Sequence, residues 1–196
     1  MTDHPETPSQ TAGPYVHIGC TPNFSGIEGV YPEDLGSRMI TGDAAGQRIT
    51  LTGQIFDGTG TPLRDAMIEA WQADANGIYA GAEGADPHFT GFGRCACAAA
   101  DGSFRFETLR PGPVAWPAGG MQAPHITLWI VARGINLGLH TRAYFADARE
   151  NDSDPVLGSI EHKVRVPTLL AQPEGVDGYR FNIHLQGADE TIFFDI

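Results

Sequence analysis

The segment Arg48-Ile49-Thr50-Leu51-Thr52-Gly53-Gln54-Ile55-Phe56 sets Ile49, Leu51, Gly53 and Ile55 against Thr50, Thr52 and Gln54 in strict alternation. Successive side chains of a strand point to opposite faces, so this period of two predicts a strand with one buried face. The same reading extends outward along the chain. Asp57-Gly58-Thr59-Gly60 predicts a turn, and Ala66 to Trp71 a mostly apolar, central strand. Asp74-Ala75-Asn76-Gly77 predicts a tight turn, followed by a Gly-rich loop over residues 80–94. Phe104 and Phe106 alternate with Arg105 and Glu107 in a strand that Arg110-Pro111-Gly112-Pro113 ends. His125 to Ala132 and Leu139 to Phe145 predict two more strands. Residues 147–157 read as a loop or short helix, and Leu169-Leu170 as part of a helical turn. Tyr179, Phe181, Ile183 and Leu185 alternate again, and Thr191 to Phe194 closes the chain. Seven or eight strands without a strong helix predict an all-β chain. The expected architecture is an antiparallel β-sandwich with a long N-terminal arm, loops and few short helices. Residues 1–45, broken by proline and glycine, read as an arm and loop that packs on a partner, and residues 46–196 as the sandwich domain.

Composition supports this and excludes several functions. The 25 glycines and 14 prolines make up about a fifth of the 196 residues, too much punctuation for a helical bundle. The chain carries 24 acidic and 12 basic residues, a net charge of −12. That charge disfavours nucleic acid and anionic membrane surfaces, both of which attract basic proteins. No apolar run is long enough to span a membrane, and Met1 to Gln10 has no apolar core that would make it a signal peptide. The three cysteines, Cys20, Cys95 and Cys97, are an odd number, and Cys95-Ala96-Cys97 is too tightly spaced for an ordinary bridge. A reduced, cytoplasmic protein is expected, with Cys95 and Cys97 as small buried residues.

No nucleophile elbow, Walker loop, dinucleotide fingerprint or C-x-x-C pair is present. The seven histidines form no H-x-H or H-x-x-x-H pair, so no self-contained metal site is visible. Arg133 and Arg142 flank a turn between two predicted strands. Surface ion pairing is one reading; a two-pronged clamp on a carboxylate is the other. Trp71 and Trp129 lie inside strands and read as core, whereas Tyr15 in the arm reads as exposed.

Several blocks together resemble the intradiol ring-cleavage dioxygenases. They include Thr7 to Tyr15, Gly53 to Gly58, Ile68 to Tyr79, Leu109-Arg110-Pro111-Gly112 and Ala123-Pro124-His125-Ile126. Ala132 to Asn136, Leu139-His140-Thr141-Arg142, Gln186-Gly187 and Glu190 to Asp195 continue the resemblance over essentially the whole chain. Catalytic members hold non-haem Fe(III) with two tyrosines and two histidines. The four positions fall here on Tyr79, Val114, His125 and Thr127, so two match and two depart. An arginine that precedes the histidine pair in catalytic members is Gln122 here. Valine cannot coordinate, and a threonine hydroxyl poorly replaces imidazole, so these four read as vestigial ligand positions and no metal is expected on this chain.

Within the family, the resemblance is to the iron-free alpha subunit of an alpha–beta hetero-oligomer, and it implies no catalytic residue in this chain alone. Fe(III) would be held by a homologous iron-binding beta subunit. The assembled enzyme would cleave 3,4-dihydroxybenzoate with O2 to 3-carboxy-cis,cis-muconate. The resemblance places Thr11, Gly13, Pro14, Tyr15 and Arg133 at the substrate cavity, with Arg133 near the substrate carboxylate; Arg142 stays structural. Two other readings remain open. One is a self-sufficient, divergent dioxygenase that recruits other ligands such as His140 or Tyr144. The other is a non-enzymatic β-sandwich that binds a ligand or partner.

Overall fold

A computed structural model describes residues 10–195. Thr7, Pro8 and Ser9, which carry part of the arm's resemblance, lie outside the described residues. A short helix, Val16–Cys20 (α1), is followed by loops up to Arg48. The strands are Arg48–Phe56 (β1), Met67–Trp71 (β2), Phe92–Ala96 (β3), Ser103–Leu109 (β4), Val114–Ala115 (β5), Met121–Gln122 (β6), His125–Val131 (β7) and Leu139–Phe145 (β8). A 3-10 turn over Arg149–Ser153, the helix Pro155–Ser159 (α2) and a second 3-10 turn over Lys163–Leu169 come next. Leu170–Glu174 (β9), Gly178–Arg180 (β10) and Ile183–His184 (β11) complete the elements.

The strands form two layers of one sheet that folds back on itself. β4, β1 and β10 make one layer; β8, β7, β2 and β3 make the other. β9 joins them, pairing with β10 through Gln172–Glu174 and with β8 through Leu170 and Ala171. The core lies between the layers. Leu51, Ile55, Phe104 and Phe106 face Ile68, Leu128, Ile130 and Phe145 across it. β1 buries Ile49, Leu51, Gly53 and Ile55 and turns Thr50, Thr52 and Gln54 outward, the alternation its sequence predicts. Met39 and Ala44, from the stretch read as arm and loop, also enter this core.

The sheet is mixed rather than purely antiparallel. β1 runs parallel to β10 and β11, and β8 runs parallel to β9. These pairings join segments far apart in sequence, so no turn between neighbours announces them. β3 begins inside the stretch, residues 80–94, that the glycines predict as a loop. Its sequence, Phe92-Gly93-Arg94-Cys95-Ala96, has no β-branched residue, and five register pairs with β2 hold it as a strand. The alternating stretch Tyr179 to Leu185 is split into β10 and β11, and residues 191–194 contribute only an isolated bridge from Phe194 to His140.

Cys95 pairs with Ile68 in the β2–β3 register, and the Cys97 amide bonds the Ala66 carbonyl. Both thiols are free, and burial pushes both up, Cys97 to about 12. Side chains two apart in a strand share a face. The C-x-C spacing therefore packs two inert thiols against the core and does not prepare a reactive pair.

Candidate functional site

The outer face of β7 and β8 carries the site. Positions i and i+2 of a strand share a face, so His125, Thr127 and Trp129 point the same way. Across the register, His125 pairs with Tyr144, Thr127 with Arg142 and Trp129 with His140. The Thr127 row continues through Trp71 to Phe92. Tyr79 stacks on Trp71, with ring centroids 5.9 Å apart and planes 7° from parallel.

Two interlocked loops bring the Tyr79 and Val114 positions together. The buried carboxylate of Asp74 accepts the amides of Asn76 (2.8 Å), Ile78 (3.0 Å) and Asp86 (3.0 Å), which shapes the loop bearing Tyr79. The Asp74 carbonyl accepts the Gly112 amide at 2.9 Å, tying in the segment that leads to Val114. Gly77, at φ +80°, lies against the Pro113 carbonyl, and Gly112 lies against the backbone of residues 75–77. A Cβ at either glycine would overlap that backbone. The turn predicted at 74–77 and the strand-ending residues at 110–113 are thus the two halves of one contact.

Arg142 stands among the four positions. Its Nη1 donates to Gln122 Oε1 at 2.8 Å and to the Tyr144 hydroxyl at 3.3 Å. Gln122 is the β5–β6 partner of Val114. The Phe194 ring lies 5.8 Å from the guanidinium carbon. Burial raises the Tyr79 hydroxyl above its ordinary value, although the Arg142 charge opposes the rise. Burial, aided by the same charge, pushes His125 down to about 4. His125 Nδ1 lies 2.7 Å from the Ala123 carbonyl, which can only accept, so Nδ1 carries the proton of a neutral ring. Beneath them, the buried Asp154 carboxylate accepts the amides of Ala123 (2.7 Å), Val156 (2.8 Å) and Leu157 (2.8 Å), and the Tyr144 hydroxyl at 3.4 Å. Asp154 thereby caps α2 and fixes the chain just before His125.

These residues do not fit ferric iron. Of the four positions, one is an alkyl group and one a neutral hydroxyl. Tyr79 and His125 are the two donors that remain, too few to hold the ion tightly. His140 and Tyr144 do not make up the missing donors. The Tyr144 hydroxyl is pushed up to about 12, chiefly by burial, and is bound to Arg142 and Asp154. His140 lies one register pair further along, beside Trp129. Arg142 is therefore not the surface ion-pairing residue its local pattern suggests; it holds the interior of the site. Arg142, Gln122 and Asp154 act together here. Only the strand register of Gln122 and Arg142, together with the cap that Asp154 makes on α2, could have revealed it.

Arg133 lies in the turn between β7 and β8. It is 68% exposed, and its Nε contacts Asp65 Oδ2 at 3.2 Å. The neighbouring Gly134 amide donates to Thr11 Oγ1 at 3.1 Å, so the arm and the Arg133 loop meet. Gly13, Pro14 and Tyr15 follow Thr11 on the surface, Tyr15 being 76% exposed.

A family model described as Dioxygenase matches residues 21–187. The chain is 47% identical over 195 residues to the protocatechuate 3,4-dioxygenase alpha chain of Pseudomonas putida, covering 97% of this chain and 96% of that one. It is 39% identical to the alpha chain of the same enzyme from Burkholderia cepacia, with both chains covered completely. The Burkholderia cepacia beta chain is 32% identical over 81% of this chain and 76% of its own length. Among solved structures, 3-chlorocatechol 1,2-dioxygenase from Rhodococcus opacus 1CP shares the fold. Its TM-score is 0.63 at 22% identity, over 77% of this chain and 65% of that one.

Proposed function

The chain belongs to the Dioxygenase family of intradiol ring-cleavage enzymes, and from that membership we propose that it is the iron-free, alpha-type subunit of a protocatechuate 3,4-dioxygenase. Intradiol dioxygenases are non-haem iron enzymes. The observation that carries the reading is the half-lost ligand set at Tyr79, Val114, His125 and Thr127, with Arg142 among it. A chain built this way needs a homologue that keeps all four donors. When bound there, Fe(III) supplies Lewis-acid activation of the catechol. The partner is an iron-bearing beta subunit, the substrates are 3,4-dihydroxybenzoate and O2, and the complex works in the cytoplasm.

This chain contributes surface and charge. Tyr15, Phe24, Ile27, Val30, Tyr31 and Leu35 are exposed apolar residues within one segment of the arm. Such a concentration fits a face that a partner covers. We assign residues 1–45 to that docking arm and residues 46–196 to the sandwich domain. Thr11, Gly13, Pro14 and Tyr15 wall the shared cavity. Arg133 faces the substrate carboxylate with the guanidinium edge that Asp65 leaves free, and its charge offsets the desolvation of that carboxylate.

The test is O2 uptake with 3,4-dihydroxybenzoate by this chain, by its partner and by the complex. Turnover is expected only when an iron-bearing partner is present. In the complex, Arg133→Ala should raise KM about tenfold or more, the magnitude of a lost charge-assisted hydrogen bond. An unchanged KM removes Arg133 from the cavity, and turnover by this chain alone overturns the subunit assignment.

A further inference from the structure

Arg142 is an arginine without an anion. Seven arginines among the described residues face a carboxylate within 3.2 Å. Of the rest, Arg48, Arg64 and Arg149 are exposed to water, whereas Arg142 is half-buried. A cation withdrawn from water without a counter-charge is unfavourable, and an anion that joins it recovers the difference. Nη1 is occupied by Gln122 and Tyr144. Nε and Nη2 have no hydrogen-bond partner among the described residues, and their two N–H groups point in parallel from one edge. That edge is the fork that grips a planar carboxylate with two bonds.

The guanidinium lines a pocket of about 410 Å³. Trp116, Pro155, Val156 and Phe194 give the pocket apolar walls, and Thr127 and Ser159 add hydroxyls. No acidic side chain lines it. Asp154, the N-cap of α2, has both oxygens taken by backbone amides. A concave, mainly apolar site with one placed charge is the usual form of a small-molecule site. We propose that this pocket binds a small arene carboxylate, its carboxylate on the Nε–Nη2 edge of Arg142 and its ring among Trp116, Val156 and Phe194. The site belongs to this chain and is separate from the Arg133 cavity.

The experiment is equilibrium dialysis of the full chain, alone and in its complex, against labelled benzoate, with acetate as the probe that lacks a ring. One saturable benzoate site is expected on the chain alone, at least tenfold tighter than acetate, and in the complex this site is expected in addition to the shared cavity. Arg142→Met should weaken it at least tenfold. Val156→Trp, which fills the pocket and keeps the guanidinium, should do the same and decides the matter if Arg142→Met does not fold. The proposal is overturned if the chain has no saturable site, if acetate binds as tightly as benzoate, or if Val156→Trp leaves binding unchanged. The count made on the chain without a partner stands whether or not the subunit assignment does.

Discussion

Asp154→Ala should destabilise the chain by about 3 kcal/mol. Asp154 is 2% exposed and its two oxygens accept three backbone amides. Loss of the α2 cap accounts for about 1 kcal/mol of the effect. The Ala123 amide, in a residue 1% exposed, would then be left without an acceptor, which adds roughly 1–3 kcal/mol. The 3.4 Å contact to the Tyr144 hydroxyl is long and adds little. Asp154→Asn should fall between wild type and alanine, because its amide oxygen can still cap α2 while its nitrogen faces the Ala123 amide. For a chain of 196 residues, about 3 kcal/mol corresponds to a fall in Tm of roughly 6–12 °C. Urea unfolding at fixed protein concentration is the assay, since a partner would make the midpoint concentration-dependent. A loss below about 1 kcal/mol for Asp154→Ala, with an unchanged m-value, would refute the view that this carboxylate pins the site.

Acid should weaken the fold before most carboxylates titrate. His125 sits at about 4 in the folded chain against an ordinary 6.5, so the unfolded chain binds the extra proton as pH falls. Its contribution is complete above pH 6.5 and is lost between 6.5 and 4, about 3 kcal/mol in all, and His125→Gln should flatten that part of a urea-midpoint profile. Gly77→Ala combines a positive φ with overlap against the Pro113 carbonyl. It should lose about 3 kcal/mol in thermal unfolding, with Tyr79 leaving Trp71 as a change in near-UV dichroism. Cys95 and Cys97, whose thiols burial pushes up, should resist alkylation at pH 8 until the chain unfolds; mass spectrometry showing either labelled in the native protein would contradict their packing.

The legible parts of the fold are those in which one segment carries its own pattern. β1 shows its buried parity residue by residue, and the i, i+2 rule alone places His125 and Thr127 on one face. β3 is hidden because Phe92-Gly93-Arg94-Cys95-Ala96 has weak strand propensity and depends on β2. The parallel pairing of β1 with β10 is hidden because more than a hundred residues separate the partners. At the site, Val114 and Thr127 can be read directly at the positions where the resemblance expects ligands. The meaning of Arg142 cannot, since it arises from register with Thr127 and from a bond to Gln122 twenty positions away. Arg133 differs again. Its contact with Asp65 is an ion pair near the surface, one of the two readings its local pattern allows, and such pairs contribute little to stability in water.

Iron per polypeptide separates an iron-free subunit from a self-sufficient enzyme. This chain, purified alone from iron-replete cells and again in complex with its partner, would be assayed for bound iron and for the visible absorption of iron-bound tyrosinate. A colourless, iron-free chain alone and one iron for each alpha–beta pair are expected. One iron per chain in the isolated protein, or two per pair in the complex, would contradict this and would mean that Tyr79 and His125 bind metal despite Val114, Thr127 and Arg142.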